Sequence, residues 1–81
     1  MSQFPSPKEV ERIKKMYPKG TRIQIERMND PYHPIERGTK GTVDYVDDIG
    51  TLHCTFDNGR CQGVVTDADI FHVIDRLNVP V

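Results

Sequence analysis

From Thr51 to Phe56 the chain alternates without a break, with Leu52, Cys54 and Phe56 on one side and Thr51, His53 and Thr55 on the other. A period of two over six residues predicts a strand with one buried face. Thr21 to Met28 shows the same pattern, Ile23 and Ile25 standing against Arg22, Gln24 and Glu26. Lys40 to Val46 predicts a further strand, with Val43 and Tyr45 on one face by simple alternation. Val46 is out of phase with them, which points to a bulge near the strand end. Ile70 to Ile74 predicts a closing strand with Phe71 and Val73 inward. Near the start the period changes: Val10, Ile13, Met16 and Tyr17 share one side of a helix over about 6–17. Ser6 suits the N-cap, Pro7 the first helical position and Glu9 a capping box. Glu11 can pair with Lys14 or Lys15, and Pro18 and Gly20 stop the helix.

The connections are also legible. Asn58-Gly59 predicts a two-residue type I′ hairpin turn, since both central residues of that turn need positive φ. It pairs Phe56 with Cys61 and Cys54 with Gly63, and predicts strand 4 over about Arg60 to Val65. Cys54 and Cys61 then share the inward face diagonally, ~7–8 Å apart, beyond disulfide reach, so two reduced core thiols are expected. Asp47, Asp48 and Gly50 form the turn between strands 2 and 3. Thr66 to Asp69 predicts one helical turn capped by Thr66 or Asp67. Gly38 and Gly41 are assigned to the backbone turn that enters strand 2. Asn29 to Arg37, with Pro31 and Pro34, has no period and predicts a long, proline-stiffened loop with no visible core role. This element order is that of a five-stranded SH3-like antiparallel barrel preceded by one short helix that acts as a lid. A five-stranded OB barrel fits less well, because it usually carries a longer helix between strands 3 and 4. One domain over 1–81 is expected, with the barrel at about 20–75 and a frayed tail at 76–81.

Composition narrows the function classes. The 81 residues are 36% hydrophobic and 28% charged, as in a small soluble domain. No apolar run is long enough to span a bilayer, and the N-terminus lacks the apolar core of a secretory signal, so a cytoplasmic location is expected. The net charge of −1 conceals an asymmetry. Residues 1–43 carry nine Lys/Arg against five acids, and residues 44–81 carry two against seven. His33, His53 and His72 fall in different elements, without the spacing of a metal site, and His53 could meet a carboxylate such as Asp44. No nucleophile–base constellation is visible, so neither enzyme activity nor a cofactor is expected.

Three stretches carry a resemblance. KGTRIQI, GTKGTVDYVDDIGTLHCTFDNG and DIFHVI resemble a bacterial and phage family of small SH3-like-barrel domains of unknown function found on mobile elements. The resemblance runs from about Tyr17 to Ile74. Members often have Trp where this chain has Phe56, and Pro-Gly where it has Thr66-Asp67. Gly38, Gly41, Val43, Val46 and Asp47 are more loosely similar to KOW-type barrels of ribosomal and transcription proteins. The family implies a fold and a genomic setting, and no activity.

The leading expectation is a non-enzymatic interaction module that binds a protein partner, as an accessory protein of a phage or mobile element. Its working surface is expected at the outer face of strands 2 to 4 and the loop from Asn29 to Lys40. The candidate residues are Tyr32, His33, Arg37, Lys40, Tyr45, Arg22 and Arg27. The alternative is RNA or DNA binding through the basic first half, with Tyr32 and His33 stacking on bases. The overall pI near 6.3 counts against it.

Overall fold

A computed structural model describes residues 5–75. Helix α1 (Pro7–Met16) begins where the residues require it: Ser6 is extended, and its Oγ accepts from Glu9 N at 3.2 Å. The reciprocal half of the capping box does not form, because the Glu9 carboxylate turns to Arg12 one turn on. Lys14 likewise reaches Asp48, at 3.7 Å, rather than Glu11. Val10 and Ile13 are buried; Met16, expected on the same stripe, is exposed. Tyr17 closes the helix and sets its ring against Phe71, with centroids 5.5 Å apart.

The strands are β1 (Arg22–Arg27), β2 (Lys40–Val46), β3 (Thr51–Phe56), β4 (Cys61–Val65) and β5 (Ile70–Asp75). All pair antiparallel in one sheet of order β4-β3-β2-β1-β5, the order of an SH3-like barrel. Ile23, Ile25, Val43, Leu52, Cys54, Phe56 and Val64 form the core, closed by Ile13 from the helix. Phe71 and Val73 pack on it as their alternation predicts. Asp75 ends β5; the fraying expected of 76–81 lies outside the described residues.

Three local departures decide what faces solvent. The bulge in β2 falls at Asp44, between the pairs Val43↔Cys54 and Tyr45↔His53. It therefore precedes Tyr45, sending that ring outward and returning Val46 to the core. The β3–β4 hairpin is not type I′, since Asn58 does not take positive φ and Gly59 alone does, at 91°. Gly59 N donates to Phe56 O (2.9 Å) and Phe56 N to Arg60 O (2.7 Å), a three-residue loop closed by a glycine bulge. The register moves by one: Thr55 faces Cys61 and Cys54 faces Gln62. Cys61 is consequently exposed, and only Cys54 is a core thiol. Finally, the long loop does have a core role, because Ile35 is buried to 2% exposure and Met28 at its root is buried beside it.

Two structural assignments also change. Gly41 makes no turn; it lies in β2 opposite Phe56, where an added Cβ would stand 2.5 Å from the ring. The turn before β5 is held by neither Thr66 nor Asp67. Buried Asp69 accepts from Val65 N (2.8 Å) and from Asn29 N (2.7 Å), tying this turn to the start of the long loop.

Candidate binding surface

The long loop is built rather than loose. Asp30 Oδ1 accepts from the backbone N–H of Tyr32 (2.8 Å) and His33 (3.2 Å), an Asx turn that bends the chain back. These backbone bonds hold the Asp30 carboxyl below the ordinary aspartate range. Gln62 Nε2 donates to Asp30 Oδ2 at 2.7 Å, and Arg60 donates to Gln62 Oε1 (2.7 Å), His33 O (2.8 Å) and Pro34 O (3.3 Å). The shifted hairpin register makes this possible, because it places Gln62 opposite inward Cys54 at the loop's edge. Tyr32 and His33 are left on the outside of the bend, Tyr32 at 82% exposure.

Two of the expected cations stand beside acids. Arg22 makes a two-pronged bond to Asp57 (2.8 and 2.7 Å) and also reaches Thr42 Oγ1 at 3.0 Å. Each partner stabilises the other's charge: Asp57 is pushed down and Arg22 up, chiefly by that side-chain bond. Arg37 stands 3.7 Å from Glu26. Lys40 and Arg27 are exposed, and Lys40 lies close enough to Asp57 to favour its charged form. Arg22 and Lys40 thus sit beside an acid of the second half, and Arg37 beside one of its own half.

The outer face of β2–β4 is different. Tyr45 stacks on His53, with centroids 4.4 Å apart and planes within 4°. His53 Nε2 is 2.8 Å from Asp47 Oδ2. Asp47, rather than Asp44, is therefore the carboxylate that His53 meets. The other oxygen of Asp47 accepts from Thr51 N (2.9 Å) and Ile49 N (3.0 Å), so the residue that folds the β2–β3 turn also orients the imidazole. Burial raises the Asp47 pKa, but the bonds from His53, Thr51 and Ile49 outweigh it and leave the carboxyl below its ordinary range. Asp44, released by the bulge, accepts from Thr55 Oγ1 at 2.6 Å, and Thr55 in turn lies 3.7 Å from Cys61 Sγ. Cys54, buried beneath, has its thiol pushed up to about 12 by desolvation, with Asp44 adding to the effect.

Of the sequence-predicted residues, Tyr45 sits on this face, Tyr32 and His33 on the loop bend, and Arg22 and Arg37 in ion pairs. Sequence reasoning missed Asp47, His53, Arg60 and Gln62. The outward phase of His53 in TLHCTF was the available signal for one of them. Among the described residues no three His, Cys, Asp or Glu side chains come together as metal ligands, and no helix is long and apolar enough to cross a membrane. No curated protein and no solved structure matches the chain significantly. A family model described as a domain of unknown function, DUF4314, matches residues 6–74, most of the chain, and the protein belongs to that family.

Proposed function

We propose that the protein is a non-enzymatic interaction module that binds a protein partner through the outer face of β2–β4, with the 29–40 loop as a flanking wall. The observation that carries this reading is the Tyr45–His53 stack. A tyrosine at 57% exposure, backed by an imidazole that Asp47 holds in place, is a rigid amphipathic contact with little side-chain entropy left to lose on binding. The loop adds Tyr32 and His33 on a backbone already fixed by Asp30 and Arg60, so binding does not have to order it. The proposed setting is the cytoplasm of a bacterium, as an accessory of a mobile element or of its host. That setting follows from the motif resemblance.

The nucleic-acid reading draws less support, because Arg22 is committed to Asp57 and Arg37 stands beside Glu26. Affinity capture from the host cell, with and without nuclease, tests the proposal. Partners should survive nuclease and be lost with Tyr45→Ala, or with Tyr32→Ala, His33→Ala and Arg37→Ala combined, while the thermal melt is unchanged. Capture that nuclease abolishes, or that neither variant alters, would overturn it.

A further inference from the structure

We propose that the depression beside Tyr45 receives a lysine or arginine side chain of the partner protein; this rests on the reading above. The depression has a volume of about 270 Å³ and is lined by Asp44, Tyr45, His53, Cys61 and Gln62 along with part of Cys54. Its chemistry is one-sided. Asp44 makes no ion pair among the described residues, and its one hydrogen bond, from Thr55, occupies Oδ2 and leaves Oδ1 open. Tyr45, one face of its ring covered by His53, lines the same depression as that carboxylate. A cation placed there meets a negative charge and an aromatic ring together, a pairing that suits Lys and Arg.

Among the described residues no Lys or Arg lines the depression. Arg22 is held by Asp57, Arg60 by the loop carbonyls and Gln62, and Lys14 lies against Asp48. Asp47 spends its carboxylate on His53 and the turn, so Asp44 is the acceptor left for a ligand. An acidic peptide or a phosphate would be repelled by Asp44. A neutral proline-rich segment would leave Asp44 unused. The bulge that frees Asp44 from the ladder and turns Tyr45 outward creates both halves of the site in one step.

The test is a titration of the isotope-labelled full chain, read by amide shifts, with a mixed single-stranded oligonucleotide and three peptides of equal length: Lys/Arg-rich, Glu-rich and neutral proline-rich. The basic peptide should shift Asp44, Tyr45, His53, Cys61 and Gln62 and weaken when salt is raised to about 0.5 M. Asp44→Asn and Tyr45→Ala should each weaken it by about three- to fivefold without changing the melting temperature. No shift with the basic peptide up to millimolar concentration, or binding that neither variant weakens, would overturn the inference. Binding of the proline-rich peptide at these residues in its place would discard the cation but keep the protein-binding reading. If only a single-stranded oligonucleotide shifted this face, both would fall.

Discussion

At the scale of single residues, Asp47 joins fold to surface. One of its oxygens closes the β2–β3 turn and the other holds His53. Its folded pKa lies below the ~4 at which an aspartate titrates in an unfolded chain. Between those two values the unfolded chain binds a proton that the folded chain refuses. The stabilisation is therefore complete above the unfolded value and is lost as pH falls through the folded one. Denaturant unfolding from about pH 6 to about pH 2 should show wild type more stable than Asp47→Asn at the top and the gap closing at the bottom. A gap constant with pH would mean that the carboxylate charge contributes nothing. Gly41 acts by what it lacks. A Cβ there would sit 2.5 Å from the Phe56 ring, so Gly41→Ala should destabilise by about 1–3 kcal/mol. Adding Phe56→Leu should recover part of that loss if the clash is with the ring.

At the scale of elements, the β3–β4 hairpin decides most of what the surface presents. Gly59 alone accepts a left-handed φ, and the extra loop residue shifts β4 by one position. One cysteine then faces out and the other stays in. Native protein treated with a thiol reagent should label Cys61 quickly and Cys54 only on unfolding, because burial removes access and raises that thiol to about 12. Mass analysis showing two fast labels, or none, would contradict this register. The same shift hands Gln62 and Arg60 to the long loop. Gln62→Ala should leave the fold cooperative and yet speed hydrogen exchange at the Tyr32 and His33 amides, which depend on the Asp30 that Gln62 steadies. Unchanged exchange would show that Asp30 needs no support.

At the scale of the whole molecule, the segregation of charge along the chain is bridged by long-range ion pairs. Antiparallel pairing brings Arg22 of β1 to Asp57 beyond β3, and the helix brings Lys14 to Asp48. On the outer face Asp44 is left without an ion pair among the described residues. The sequence by itself determined the helix, the five strands and their limits to within about a residue. Alternation, Ser6, Pro18 and the glycines act locally, and local preference agrees with the fold at those points. Only the tertiary structure decided that Tyr45 faces out, that His53 meets Asp47, that Cys61 is exposed and that Ile35 completes the core. Each of these turns on a one-residue offset, at the Asp44 bulge or the Gly59 turn, or on a loop folding back over the barrel. A strand's period is two, so one residue of offset reverses every side chain beyond it. Where that offset falls is set by which cross-strand pairs pack best, and neighbours along the chain do not report it.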